Sequence, residues 1–560
     1  MTVAGKILPY VCLLVALSGI LLAAQVAYRK SLITEEYAYA CDPFGYLRMA
    51  KEIRSAVVQR RAPSFKLESE QTRSLIEFMK SKDVPLPQWE EMVGPHAHHY
   101  FPRSDTVGVQ YPPGTGLTLA MFPEGQAIFD LNRLVVMVLA MTGIAAILIA
   151  VWKRAWISAA LVMLGIVTGL LILARIGAVS FSINATLIPL LVSELLMLAA
   201  LGIRTSGRTR LSWSIALAGG AVLGLAVFVR ITTALMLPGL LLLVWPRSQP
   251  FTLKNLAIPL TLGAALLGIF PVLFYQQQIA GAWYLPTYGR IDATPPTISR
   301  IEHHVQYYFG SDFAAADNWA LLCAVLGFAG LMILMRVTGK SLKENGFGLS
   351  LRRLALATFI FWAVPIVFFL SHSVHGLHYA MAGTFGAVSL IGFGALAIET
   401  TANKVSRAVN RRRLVWLIGG VLLFVCAGIT LHQVWRERTP TPAPLTAITH
   451  KEQPLPAELA DQRSWLWADL LTGTLWYYHQ KPAFKIQFSD PQTRALLFRF
   501  VFDRGDQQYL IEDSERMPRY MDEIKELGGS LERRGDIDGA PYYLIHWPST
   551  GPTVRKLNAS

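Results

Sequence analysis

Long apolar runs constrain the fold of this 560-residue chain more than any other feature. An apolar run of about 18 residues is long enough to cross a bilayer as a helix. Hydrophobic residues make up 53% of the chain and charged residues only 16%, a balance that excludes an ordinary soluble protein. We therefore predict a polytopic α-helical membrane protein with about eleven transmembrane helices. The run at 211–245 is divided at Arg230, and the spans are about 7–27, 129–151, 156–174, 185–203, 211–228, 232–245, 256–275, 318–335, 354–371, 379–398 and 414–432.

Basic residues predict the orientation of these spans. Lys and Arg concentrate in alternate connections, which is the pattern expected of cytoplasmic loops when the N-terminus is cytoplasmic. This explains the net charge of +14 without a nucleic-acid partner. The opposite, outer side then receives a first outer loop at 29–128, a second large outer loop at 279–317 and the tail after residue 432. The outer loops are expected to contain amphipathic helices.

The first outer loop begins with "ITEEYAYACDPFGYLRMAKEIRSA", residues 33–56. Asp42 precedes a proline, and Tyr46, Ala50 and Ile53 follow it at offsets of 4, 8 and 11, which places them on one helical face. Asp is a preferred N-cap and proline a preferred first helical residue, so the pattern predicts a helix capped by Asp42. Such a carboxylate is held in one orientation beside the positive end of the helix, so capping and catalysis are compatible.

A second stretch, "VQYPPGTGLTLAMF" at 109–122, predicts a rigid turn at Tyr111–Gly114 followed by a short apolar helix. Together, these two stretches resemble the type-C glycosyltransferase superfamily, which includes lipid-A aminoarabinose transferases and protein O-mannosyltransferases. Two further stretches are similar to that family: "GLAVFVRITTALMLPGLLLL" at 224–243 and "PVLFYQQQIAGAWYLPTYG" at 271–289. The resemblance covers about residues 1–400.

The resemblance implies transfer of a sugar from a polyprenyl-phosphate donor to a glycan, lipid or protein acceptor, outside a bacterial inner membrane. An inverting transfer needs a carboxylate base, for which Asp42 is the first candidate and Glu36 the reserve. Many family members carry a second acid where this chain has Asn184, so either Asp42 acts alone or Asp105 supplies the second carboxylate. Arg230 is the first candidate for binding the donor phosphate. The other phosphate candidates are His303, His304, Tyr308, His378 and Tyr379, and those for the substrate cavity are Glu35, Tyr46, Tyr111 and Asn184.

Each assignment has a simpler alternative. Asp42 could only cap a helix, Arg230 could anchor the chain at the membrane interface, and the helix carrying His303 could rest on lipid headgroups. His96, His98 and His99 are interpreted as surface histidines, although their spacing leaves a divalent metal possible. A polymerase or ligase of lipid-linked glycans would share the same chemistry. A transporter or flippase would instead need intramembrane charges along a path, where Glu194 is the main candidate.

The sequence pattern of the tail differs from that of the preceding transmembrane segments. Residues 433–450 contain "TPTPAPL" and are predicted to be a linker after a transmembrane module at 1–432. In residues 451–560, the apolar runs "SWLWADL", "FKIQF", "QYLIE" and "PYYLIHW" alternate with helical patterns at about 491–503 and 515–527. This alternation predicts a small, soluble, extracytoplasmic α/β domain.

Overall fold

The computed structural model describes residues 3–33, 37–176, 181–245, 255–288, 297–309, 319–338, 349–372, 377–402, 409–436 and 454–554. It divides into two compact units. The membrane unit comprises residues 1–34, 126–272 and 294–440. The loop–tail unit comprises residues 35–125, 273–293 and 441–560.

Helices dominate the structure. In chain order they are α1 (Val3–Ile33), α2 (Asp42–Gln59), α3 (Glu70–Ser81), α4 (Gly114–Ala120), α5 (Ala127–Trp152), α6 (Trp156–Ile176), α7 (Phe181–Thr205), α8 (Thr209–Val229), α9 (Leu237–Val244), α10 (Ala257–Ala264), α11 (Phe270–Ala280), α12 (Ile298–Phe309), α13 (Trp319–Thr338), α14 (Leu351–Ser371), α15 (Met381–Ala402), α16 (Val409–Arg436), α17 (Ala457–Ala460), α18 (Thr472–His479), α19 (Pro491–Asp503) and α20 (Met517–Glu526). The strands are β1 (Lys66–Leu67), β2 (His98–Phe101), β3 (Thr106–Val109), β4 (Ser464–Ala468), β5 (Ala483–Lys485), β6 (Gln507–Ile511), β7 (Ser530–Ile537) and β8 (Ala540–His546).

Eight helices in the described part of the chain are long and apolar enough to cross a membrane, which confirms the predicted helical architecture. They are Tyr10–Ser31, Ala127–Trp152, Trp156–Arg175, Phe181–Thr205, Thr209–Val229, Ala257–Ala280, Leu351–Ser371 and Met381–Thr400. The other three predicted spans coincide with shorter apolar helices at Ile231–Val244, Leu322–Arg336 and Gly419–His432. The count of eleven therefore stays a prediction.

The centre of the membrane unit is the pair α6 and α15. The apolar windows of these helices are 100% and 94% buried, respectively. Glycines allow the two backbones to approach: a Cβ on Gly165 would lie 2.9 Å from the Cα of Ser389, and one on Gly392 would lie 2.8 Å from the Cα of Val162. Small residues are the usual means of close helix packing in membranes, where van der Waals contact has to hold the helices together.

A second close pair joins α8 to the helix formed by α10 and α11. Gly220 and Gly224, four residues apart on α8, face Gly263 and Gly268, which are five residues apart. Between the latter two, residues Ala265–Ile269 form a π-helical turn. The wider turn accommodates the extra residue. As a result, both glycines of this helix lie opposite a glycine of α8: Gly263 contacts Gly220, and Gly268 contacts Gly224.

One core of the loop–tail unit combines residues from the first loop and from the tail. Leu75, Trp89 and Tyr100 of the first loop are buried in the same cluster as Trp465 and Trp467 of β4. The first loop contributes an antiparallel sheet in the order β1-β3-β2, which was not predicted. The shared core of the first loop and the tail cannot be predicted from the sequence, because hydrophobic patterns give no information on which segments pack together.

The tail sheet has the order β5-β4-β6-β8-β7. Strands β4, β5 and β6 are parallel, while β8 pairs antiparallel with β6 and β7. Three of the four predicted strands and both predicted helices of this small α/β region are confirmed. The fourth predicted strand, "FKIQF", is confirmed in part, because β5 ends at Lys485 and Ile486–Phe488 form a 3-10 helix. Strand β7 was missed, although Asp538 and Gly539, both with positive φ, form a two-residue turn that is a strong hairpin signal. The predicted linker lies largely at 437–450, outside the described residues, and α16 extends to Arg436.

We predict that Gly220→Ala destabilises the protein, because the new Cβ would overlap the carbonyl oxygen of Leu260 on the facing helix. Overpacking of this kind typically costs about 1–3 kcal/mol. Thermal unfolding in detergent should show a lower melting temperature. Gly428→Ala is the matched control, since a Cβ on Gly428 of α16 has no neighbour within 4 Å among the described residues. Equal melting temperatures for the two variants would contradict the close packing of α8.

Candidate functional site

Asp42 lies at the start of α2 and is held by a tyrosine. The helix begins at Asp42 itself, and its N-cap is Cys41, which makes no side-chain capping bond. The prediction that Asp42 is the N-cap is therefore wrong by one residue. The Tyr111 hydroxyl donates to Oδ1 of Asp42 over 2.5 Å and lies 2.9 Å from the Cys41 Sγ. The hydrogen bond from Tyr111 thus contributes to the orientation of this carboxylate.

Close packing keeps Tyr111 in place. A Cβ on Gly45 would lie 2.7 Å from the Cβ of Ala97 and 2.9 Å from the Tyr111 ring, so the helix can approach the ring only at a glycine. The ring of Tyr46, one turn after Asp42, stacks on Tyr111 with centroids 4.6 Å apart. The predicted turn at Tyr111–Gly114 leads into α4 as expected. Both tyrosines are buried, so the predicted cavity residues Tyr46 and Tyr111 act as the support of Asp42.

The groups beside Asp42 are hydrogen-bond donors that keep their protons. Burial raises the pKa of Tyr111 well above its ordinary value, and the adjacent Asp42 charge raises it further. Burial, followed by the same charge, raises the pKa of Cys41 to about 12. A thiol in this state is a poor nucleophile, because the thiolate is the reactive form. Of this group, Asp42 is the side chain suited to accept a proton.

Asp105 belongs to a different part of the loop–tail unit. It lies in the turn between β2 and β3, whereas Tyr111 follows the other end of β3, so the strand separates the two residues. The Asp105 carboxylate accepts bonds from Lys80 Nζ at 2.7 Å and from the Tyr100 hydroxyl at 2.6 Å. The Lys80 ammonium, followed by Tyr100, lowers the pKa of Asp105. Asp105 is therefore an exposed ion-pair residue and does not share the Asp42 site.

Arg230 lies in the membrane unit where α8 ends and a 3-10 turn, Ile231–Met236, begins. Its guanidinium donates to the Ser182 hydroxyl at 2.9 Å, the Thr232 hydroxyl at 3.1 Å and the Tyr379 carbonyl oxygen at 3.4 Å. The Tyr379 and Phe369 rings lie 5.1 and 5.9 Å from its central carbon. The split of the 211–245 run at Arg230 is confirmed.

The environment of Arg230 is unusual for a cation. The residue is only 8% exposed. In the described part of the chain, no carboxylate lies within ion-pair distance of it, and its partners are hydroxyls, a carbonyl and aromatic faces. A buried charge without an opposite charge is costly to maintain, so such residues are usually functional inside membranes. The partners hold the guanidinium in place without neutralising it.

The other predicted phosphate ligands divide into three groups. Tyr379 stacks on Phe369 beside Arg230, and the His304 Nδ1 lies 2.7 Å from the carbonyl oxygen of Leu370. Arg230, Tyr379 and His304 thus gather around the C-terminal end of α14. His303 lies on the same helix, α12, but is exposed. The side chains of Tyr308 and His378 are outside the described residues.

The remaining candidates do not form an open cavity in the described structure. Asn184 is fully buried in α7, where its Nδ2 donates to the Asn132 Oδ1 of α5 at 3.0 Å. It therefore links two helices. Glu35 and Glu36 lie outside the described residues. Within the described residues, no group of three or more His, Cys, Asp and Glu side chains could hold a metal ion.

A buried polar cluster in the loop–tail unit escaped the sequence analysis. His98 and His99 are 1% and 6% exposed, so their interpretation as surface histidines is wrong. Lys485 of β5 donates to the His98 carbonyl oxygen at 3.0 Å, and burial lowers the pKa of this lysine to about 8. His96 pairs with Asp469 at 3.3 Å. The run "HAHHYF" has no clear polar–apolar alternation, and the structure shows that all four residues of β2 are buried.

Comparison with known proteins adds no relative. No known protein family matches the chain, and no curated protein matches its sequence.

We predict that buried His99 makes the protein acid-labile. Burial lowers its pKa to about 3, compared with about 6.5 in an unfolded chain. Between these values the unfolded state binds more protons, so the free energy of unfolding decreases as the pH falls from about 6.5 towards 3, by up to about 1.4 kcal/mol per unit. His99→Phe, which preserves the contact with Phe101, should flatten this dependence. Denaturant unfolding at several pH values measures it.

His546→Gln is the control, because His546 is exposed and pairs with Glu532 on the tail surface. It should retain the acid sensitivity of the parent protein. A His99→Phe variant whose stability decreases with acid as steeply as that of the parent would contradict the assignment.

Proposed function

We propose that this chain is an integral membrane glycosyltransferase that transfers a sugar from a polyprenyl-phosphate donor to a glycan, lipid or protein acceptor. The observation that carries the proposal is the buried Arg230 guanidinium, held by Ser182 and Tyr379 without a carboxylate partner in the described structure. A fixed cation of this kind suits a phosphate, which a guanidinium binds through parallel hydrogen bonds. The resemblance of the surrounding sequence to type-C glycosyltransferases supports the same ligand.

Asp42 has the role of general base in this proposal. The acceptor hydroxyl attacks the anomeric carbon, the bond from that carbon to the phosphate oxygen breaks, and the acceptor proton passes to Asp42. The sugar is transferred with inversion, and the polyprenyl phosphate leaves with both electrons of the broken bond. Arg230 stabilises the charge that develops on this phosphate. Tyr111 keeps the carboxylate oriented through its hydrogen bond to Oδ1.

The finer topology is part of the proposal. Eleven spans with a cytoplasmic N-terminus would place the C-terminal ends of α8 and α14 on the extracytoplasmic side of a bacterial inner membrane, and the tail on that side as well. Antiparallel neighbours support this arrangement, because Ser182 begins α7 at the end where α8 terminates. A lipid-linked donor remains in the bilayer, so its phosphate should be bound at a membrane surface.

Two intramembrane acids bear on the transporter alternative. Glu194 of α7 accepts a hydrogen bond from Ser389 of α15 at 2.5 Å, and Glu399 of α15 accepts one from Ser158 of α6 at 2.6 Å. Both glutamates are buried. Polar pairs of this kind are typical of contacts that hold membrane helices together. They favour a structural role and leave the transferase as the better proposal.

Arg230→Ala should weaken donor use strongly, while Arg230→Lys should have an intermediate effect. A lysine retains the charge but loses the planar pair of donors. The loss of a charged hydrogen bond typically corresponds to about tenfold or more in affinity. The assay is sugar transfer by purified protein at varied concentrations of polyprenyl-phosphate sugar. Parallel assays with monosaccharide and oligosaccharide donors separate the transferase from a polymerase.

The matched control is Arg353→Ala. Arg353 lies at the other end of α14 and donates to the Leu242 carbonyl oxygen at 2.9 Å. Its loss should lower thermal stability without changing the apparent donor affinity. An Arg230→Ala protein with the parent's donor affinity would rule out a phosphate-binding role.

Asp42→Asn should abolish transfer while leaving folding and donor binding intact. Asparagine can still accept the Tyr111 hydrogen bond through its amide oxygen, but it cannot take up a proton. The loss of a general base typically costs about 100- to 10,000-fold in rate. Tyr111→Phe keeps the ring and removes the hydroxyl, so it should reduce the rate less than Asp42→Asn.

Thermal stability is measured in parallel for both variants. Transfer by a stably folded Asp42→Asn protein within a few-fold of the parent would show that Asp42 is not the base. Glu36 would then be the next candidate for the general base.

A further inference from the structure

A groove opens between α13 and α14 in the membrane unit. Its volume is about 570 Å³. One wall consists of Val325, Phe328, Met332 and Met335 of α13, spaced as one helical face. The opposite wall consists of Arg352, Ala355, Leu356, Phe359 and Trp362 of α14. The lining is apolar except for one guanidinium at its end.

The packing of α13 explains the groove. This helix packs mainly against α15 and α6 and only loosely against α14. Phe328 bridges the two walls, with ring centroids 5.9 Å from Trp362 and 6.1 Å from Phe359. From Arg352 to Trp362 the helix rises by about 15 Å, since each residue adds about 1.5 Å. The groove is therefore an open surface groove about half a bilayer core in length, with the rings of Phe328, Phe359 and Trp362 towards the end away from Arg352.

Two features of the groove indicate which kind of ligand it would bind. Side chains along the groove are exposed in the described structure, including Val325 at 58%, Met332 at 61% and Leu356 at 51%. Helix α14 has the length and composition of a membrane span, and α13 contains the shorter apolar helix Leu322–Arg336. Apolar surface exposed on helices in a membrane contacts hydrocarbon chains. Arg352 is exposed at the end where Arg336 also lies in the last turn of α13. Basic pockets between membrane helices are suited to anionic lipid headgroups.

This site is separate from the Arg230 site. Phe369, which contacts Arg230, is 17 residues after Arg352 on α14, a rise of about 25 Å. A phosphate on Arg352 would therefore lie near the opposite membrane surface from one on Arg230. A ligand with its phosphate on Arg352 would therefore be distinct from the sugar donor bound at Arg230.

We propose that the groove between α13 and α14 binds one anionic diacyl phospholipid, with its phosphate on Arg352 and an acyl chain along Phe328, Phe359 and Trp362. The proposal is independent of the glycosyltransferase assignment. It predicts selectivity for an anionic headgroup, because the apolar lining alone would accept any acyl chain.

Native mass spectrometry of the full-length protein tests this proposal, with palmitoyl-oleoyl phosphatidylglycerol and the corresponding phosphatidylcholine as probes. The parent should retain one phosphatidylglycerol more tightly than phosphatidylcholine. Arg352→Gln should weaken phosphatidylglycerol binding by about tenfold or more. Ala355→Phe fills the groove without a change of charge and should remove the bound lipid. Arg210→Gln, an exposed basic residue at the start of α8, is the control and should bind as the parent does.

Melting temperatures of all variants are measured in the same detergent, so that misfolded protein is recognised. Equal binding of the two lipids by the parent would overturn the headgroup assignment. Unchanged phosphatidylglycerol binding by both Arg352→Gln and Ala355→Phe would overturn the site. A species of two chains that replaces the lipid-bound monomer would assign the groove to a second copy of this chain.

Discussion

A chain in a bilayer has to satisfy its own backbone hydrogen bonds, and in the membrane unit an α-helix that gives way to a 3-10 turn places a buried arginine at the junction. The α8 helix ends at Val229, and the chain continues through a 3-10 turn before α9 begins. Arg230 occupies this break. Its guanidinium connects the start of α7, through Ser182, to the entry of α15, through the Tyr379 carbonyl. The interruption thus serves both as a structural junction and as the position of a buried guanidinium without a carboxylate partner in the described part of this unit.

Helix packing around this junction depends on small residues rather than on large apolar ones. The α6–α15 and α8–α10 pairs approach so closely that even a methyl group would collide with the facing backbone. The π-helical turn at Ala265–Ile269 departs from regular α-helical geometry where tertiary packing against α8 requires it. The helix accepts a rare, wider turn, because this keeps a second glycine opposite α8.

The loop–tail unit follows the rules of a soluble core. Trp465, Trp467 and Phe484 of the tail bury large aromatic surfaces together with Trp89 and Tyr100 of the first loop. Buried aromatic residues contribute much of the stability of such a core. The same association encloses His98, His99 and Lys485, and burial lowers the pKa of all three side chains. The first loop is thus part of a domain core, in which α2 and Tyr111 hold Asp42 in a defined orientation.

The sequence by itself determined the features that depend on local pattern. These include the membrane-length helices, the division at Arg230, the helix after Asp42, the turn at Tyr111–Gly114 and four of the five tail strands, β5 in part. Apolar length, helical periodicity and proline geometry act over a few neighbouring residues, so they can be read without the fold. Only the tertiary structure decided which residues meet: Tyr111 with Asp42, Asn184 with Asn132, Asp105 with Lys80, and the first loop with the tail. These contacts join residues from 25 to about 400 positions apart, and their partners are selected by packing and burial, which no local pattern encodes.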